Sequence, residues 1–116
     1  VAVLDRYEKH GSVAGRDLYD IHAFFLQGLE YETDVIEERR KIHGKIGLIN
    51  FFKELIAFVK KHFTETTISQ DINMLLPDQE FQRVRKILIP ETVRFLEDEV
   101  KILYAFDSLG AEQKNL

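Results

Sequence analysis

Leu48-Ile49-Asn50-Phe51-Phe52-Lys53-Glu54-Leu55-Ile56-Ala57-Phe58-Val59-Lys60-Lys61-His62-Phe63 decides the fold class. Leu48, Ile49, Phe52, Leu55, Ile56, Val59 and Phe63 recur at helical spacing while Lys53, Lys60 and Lys61 fall elsewhere, the pattern of a helix with one buried face. No stretch of the chain sustains period-2 alternation, and no Asn-Gly or Asp-Gly pair marks a hairpin. The expected class is therefore all-α, a compact bundle of about six helices.

On the N-terminal side, a short helix is expected from Val1 to Lys9, ended at His10-Gly11-Ser12. A second, from Arg16 to Gln27, places Leu18, Ile21, Phe25 and Leu29 on one face, with Gly28 as terminator, and reads as the centre of the core. Thr33 or Asp34 is the expected N-cap of a third helix, whose thin apolar stripe is Val35, Ile36 and Ile42. Gly44 and Gly47 either divide that helix from the next or sit inside one long helix, at a cost of about 1 kcal/mol each.

On the C-terminal side, Thr64-Glu65-Thr66-Thr67 reads as a polar link to a short helix bearing Ile68, Ile72, Leu75 and Leu76, which Pro77 ends. Asp78 caps a helix through Ile89, and Pro90 suits the first turn of a separate last helix whose stripe is Val93, Leu96, Val100 and Leu103. The expected organisation is one helical domain, residues 1–109, and a flexible polar tail, 110–116.

With 116 residues, 45% hydrophobic and 31% charged, the chain is large enough to bury a real core. A net charge of -4 argues against coating nucleic acid or anionic membrane by charge alone. The absence of Cys removes any disulfide framework or thiolate metal site and suits a cytoplasmic location. No apolar run approaches the roughly 18 residues that span a bilayer, so no membrane partner is expected. The chain opens on Val1, and the expectation is a piece of a longer polypeptide.

The stretch with the appearance of chemistry is Ala14-Gly15-Arg16-Asp17-Leu18-Tyr19-Asp20-Ile21-His22. Asp17 and Asp20 are three apart and share a helix face, and Arg16 and Asp20 are four apart and can pair. One reading is a well-made helix start, with Asp17 complementing the helix dipole. The other is a carboxylate facing a cleft at the mouth of a rigid element, where it orients a base, a cation or a metal-bound nucleotide. Tyr19 reads as half-buried, and His22, one turn on, as a core-edge histidine rather than a general base.

Gly15-Arg16-Asp17-Leu18-Tyr19-Asp20-Ile21, preceded by Ala2-Val3-Leu4-Asp5-Arg6, resembles the C-terminal motif region of the AbiEii/AbiGii-type nucleotidyltransferase toxin family. Members carry an Ala-Leu-x-x-Arg helix, a short loop and a Lys-x-Arg-Asp-x-Tyr-Asp helix start. Asp71-Ile72-Asn73-Met74-Leu75-Leu76-Pro77 is similar to a stretch of their helical half. The resemblance implies the helical C-terminal lobe of a two-lobed enzyme of toxin–antitoxin or defence type, which uses a nucleoside triphosphate and Mg²⁺ to modify an acceptor, in some members tRNA. It implies Asp17 and Asp20 as catalytic contributors, Asp17 foremost, and Arg16 and Arg6 as nucleotide-binding neighbours. The family lysine is Ala14 here, which removes a phosphate-contacting charge. Gly11-Ser12 lacks the strand and carboxylate pair of the family's Gly-Ser turn, so this lobe alone is expected to be inactive and to bind no cofactor.

His10, His22, His43 and His62 form no His-x-x-x-His or Glu-x-x-His pair, and no metal site is expected. Lys45, Lys53, Lys60, Lys61 and His62 make one basic cluster and Arg83, Arg85 and Lys86 another, either solvated helix faces or phosphate contacts to an RNA acceptor. The alternative function, from a different class, is a helical interaction or oligomerisation module that binds a partner such as an antitoxin protein, or a second copy of itself.

Overall fold

A computed structural model describes residues 2–72 and 78–114, which form the helices α1 (Ala2–His10), α2 (Gly15–Leu26), α3 (Thr33–Arg40), α4 (Gly44–His62), α5 (Glu65–Ile72) and α6 (Asp78–Lys114). No strand occurs among the described residues. The core forms where α4 and α6 meet. Leu48, Ile49, Phe51, Phe52, Leu55 and Val59 of α4 are buried, as are Val84, Leu88, Val93, Leu96, Val100 and Leu103 of α6. Phe51 lies between the positions expected from periodicity, because α4 is covered on more than one side.

The expected break at Pro90 does not occur: α6 is one helix of 37 residues. At about 1.5 Å per residue such a helix spans about 55 Å, which accounts for a long axis of 56 Å against 30 and 21 Å across. An internal proline deletes one backbone hydrogen bond and costs about 3 kcal/mol. Here the ring is on the exposed side. The buried series Val84, Leu88, Thr92, Leu96, Val100 and Leu103 runs past it without interruption, so packing on both sides offsets the local loss.

A second correction concerns α2, which is not the centre of the core. Only Gly15, Asp17, Leu18 and His22 are buried on it. Ile21 and Phe25 pack against the core from its edge, and Leu29 lies beyond the helix end with half its surface in solvent. Gly28 is the terminator: at φ +70° it turns the chain left-handed so that the following Leu29 N–H reaches back to the Phe24 carbonyl at 3.2 Å, beside its own N–H to the Phe25 carbonyl at 3.0 Å.

The third helix starts one residue early, with Glu32 at the cap position and no side-chain capping bond from it. Ile36 and Ile42 reach the core, whereas Val35 does not. The single long helix does not form: α3 ends at Arg40 with Lys41 left-handed at φ +57°, residues 41–43 part the two helices, and both glycines fall in α4, Gly44 as its first residue. A Cβ on Gly47 would stand 3.2 Å from the Ile42 Cβ, so the missing side chain lets the linker pass close to α4.

Thr64 proves to be a cap rather than a link. Its Oγ1 accepts from the Thr67 N–H at 3.2 Å, so α5 begins at Glu65. The expected stop at Leu75, Leu76 and Pro77, like the 71–77 stretch of the resemblance from Asn73 on, lies outside the described residues.

Candidate functional site

The start of α2 is assembled with α1. Ala14, in an extended conformation, precedes the helix without a side-chain cap, and the Asp17 N–H donates to the Ala14 carbonyl at 3.0 Å. The Asp17 carboxylate is turned inward, and Arg6 of α1 meets it as a fork, Nε donating to Oδ2 at 2.6 Å and Nη2 to Oδ1 at 3.3 Å. Asp17 is 5% exposed. Removing the Arg6 side chain would leave this buried carboxylate without its fork, which is far costlier than keeping the pair. Asp17 and Arg6 are thus brought together, and Asp17 fixes α2 against α1.

Asp20 and Arg16 are placed differently. Both are exposed, and the ion pair that their spacing permits is not made. Asp20 stands at the edge of a cleft of about 250 Å³ whose wall also includes Asp17. The interior is apolar and aromatic, formed by Ile21, Phe24 and Phe25 of α2, Phe51, Phe52 and Leu55 of α4, and Tyr31 and Ile36. Of the four charged candidates, Asp20 is the carboxylate with access to both solvent and a concave surface.

Tyr31 is a participant that sequence reasoning missed. Its hydroxyl donates to Glu99 Oε1 at 2.6 Å across 68 residues of chain, and its ring meets Phe52 edge-on at 5.3 Å. Burial, then the hydrogen bond to the Glu99 carboxylate and its charge, push the phenol above its ordinary range. No local motif announces a tyrosine in the α2–α3 loop as a latch onto α6. Beyond it, a second hollow lined by Phe25, Leu29, Glu30, Tyr31 and Glu99 adjoins the cleft.

Other expected candidates have structural surroundings. His22 is buried in the α2–α6 seam, 3.5 Å from Glu91 Oε2 and beside the Phe95 ring. His62 lies against Tyr7 and Phe58, with centroids at 4.6 and 4.4 Å. Lys53 donates to the Tyr104 hydroxyl at 2.7 Å, Lys60 faces Glu97 at 3.7 Å and Arg83 faces Glu80 at 3.9 Å, so each basic cluster has at least one member paired within the fold. Tyr19 is half-buried against the core.

Among the described residues, no group of three or more His, Asp or Glu side chains is arranged to hold a metal ion. Mg²⁺ bound to a nucleotide needs as few as one or two protein carboxylates besides the phosphates. Asp20 fits the role of one such ligand, and Asp17, engaged by Arg6, does not. No described helix is long and apolar enough to cross a membrane. Compared with protein-family models, with curated proteins and with solved structures, the chain matches none.

Proposed function

We propose that this chain is the helical lobe of a nucleotidyltransferase-like protein of toxin–antitoxin or defence type, and that the start of α2 is its wall of the transfer site. The observation that carries the reading is the Arg6–Asp17 fork. The two stretches on which the family resemblance rests lie on separate helices, and their charged residues meet at 2.6 Å. Motif residues that act together in space are what a shared site requires. In this reading Asp17 positions α2, Asp20 presents an accessible carboxylate to the nucleotide-bound cation or the acceptor, and Arg16 offers a guanidinium to phosphate. Nucleoside triphosphate and Mg²⁺ would be held chiefly by a catalytic lobe outside this sequence, and the lobe alone transfers nothing. An RNA acceptor such as tRNA, an antitoxin partner and a cytoplasmic setting belong to the same proposal.

The test uses the longer polypeptide that contains this sequence, incubated with labelled nucleoside triphosphates, Mg²⁺ and RNA. Asp20→Ala is expected to lower transfer by about 100-fold or more, the scale of losing one preorganised charged contact, while the helical spectrum stays unchanged. Undiminished transfer overturns the assignment.

A second reading, a helical interaction or oligomerisation module without catalysis, is favoured by Leu26, Leu29, Val35 and Ile46, which expose from 41% to 72% of their surface. Light scattering that shows concentration-dependent dimers would support it. A strict monomer would remove the self-association form of it.

A further inference from the structure

We propose that the aromatic cleft between α2, α3 and α4 is a docking site for a basic amphipathic segment of a partner protein, which inserts an apolar side chain between Phe24 and Tyr31. The proposal gives a partner chemistry to the interaction reading and does not depend on the transferase reading.

Size comes first. A volume of about 250 Å³ falls below the roughly 300–1,000 Å³ that encloses a drug-sized ligand. It suits one large apolar side chain, the usual anchor of a protein interface. The walls are apolar throughout the interior, so the anchor gains burial without having to satisfy polar atoms.

Charge selects the partner. Residues 15–40 contain seven carboxylates and three arginines, so the whole net charge of -4 falls in this stretch and the rest of the chain is balanced. Most of the cleft wall comes from the same stretch. Asp20 stands at its edge, and Glu30 borders the adjoining hollow that shares Phe25 and Tyr31 with it. An acidic segment would be repelled, and a neutral one would forgo the attraction. An amphipathic helix with lysine or arginine flanking its apolar anchors satisfies both the cleft and the rim.

The probe is an amidated peptide about twelve residues long, the length at which isolated helices begin to persist. Leu and Phe are placed at helical spacing and Lys elsewhere. It is titrated into the ¹⁵N-labelled chain beside two analogues, one with Glu for every Lys and one with Ser for every Leu and Phe. Saturable shifts are expected in the amides of Ile21, Phe24, Phe25, Tyr31 and Phe52. The acidic analogue should bind at least about tenfold more weakly, about 1.4 kcal/mol, and the serine analogue should not saturate. Phe24→Ser and Glu30→Lys should each weaken the basic peptide by about tenfold. Ile102→Ser, exposed on α6 and outside the cleft wall, should leave it unchanged. If Phe24→Ser fails to fold, the serine analogue carries the anchor test and Glu30→Lys the charge test. Equal binding of the acidic or serine analogue, shifts centred elsewhere, or no saturable binding overturns the proposal. So does finding the same amides shifted by raising the protein's own concentration, which assigns the cleft to a second copy.

Discussion

The α4–α6 half and the α1–α3 half of this molecule are joined to the fold by different forces. The former buries a continuous series on both partners, apolar except for Thr92. In the latter α3 buries no residue at all, and α1 buries only Val3. Besides Val3, Leu4 and Ile36 on the core, this half is held by side-chain pairing: Arg6 on Asp17, Arg40 on Glu8 at 2.6 Å, and Tyr31 of the α2–α3 loop on Glu99. Apolar burial is tolerant of small shifts, whereas a forked ion pair is positional. The half that carries the cleft is thus the half whose geometry is set by polar contacts.

The comparison predicts a hierarchy of damage. Leu96→Ala, at a position with no exposed surface, should destabilise by about 2–5 kcal/mol, read as a lower denaturant midpoint. A smaller loss would mean that the α4–α6 seam repacks. Asp17→Ala removes both bonds of the fork and, because Arg6 keeps a third of its side chain in solvent, should cost about 2 kcal/mol, with a double-mutant cycle against Arg6→Ala showing strong coupling. Additive effects would show the fork to be incidental.

Tyr31→Phe removes one hydrogen bond to a carboxylate and should cost about 1–2 kcal/mol. Because the folded state raises this phenol above its unfolded value, its contribution is complete below about pH 10 and is lost as pH rises above it. The alkaline decline in stability should therefore be shallower in Tyr31→Phe than in the parent. An identical decline would place the latch outside the stability of the fold. The smallest effect belongs to Glu8→Gln, whose carboxylate is exposed. Less than about 1 kcal/mol is expected, and a loss as large as that of Asp17→Ala would erase the distinction between buried and surface clamps.

The all-α class and the path of α4 were legible because an apolar face repeated over several turns has one regular solution. The buried stripe Val93, Leu96, Val100 and Leu103 was legible for the same reason. Pro90 misled, since a proline's local preference for a helix start was outweighed by packing on both sides of it. In α2 the same apolar density suggested a centre, yet most of its rings line a cleft at the edge. At the candidate site, spacing showed that Asp17 and Asp20 share a face, but it could not tell which would be buried. That choice was made by Arg6, eleven residues away on another helix. Tyr31 and Glu99, 68 residues apart, left no trace in either local pattern.

Ionic strength separates the two attachments further. At molar salt the reach of a charge shrinks to about 3 Å, which loosens the exposed clamp of Arg40 with Glu8 and Asp5 while leaving the more buried Arg6–Asp17 fork less affected. Salts that are excluded from protein surfaces strengthen apolar burial at the same time. A single additive therefore tightens α4 against α6 and slackens α1 against α3. One domain has a firm keel and a salt-tuned flank.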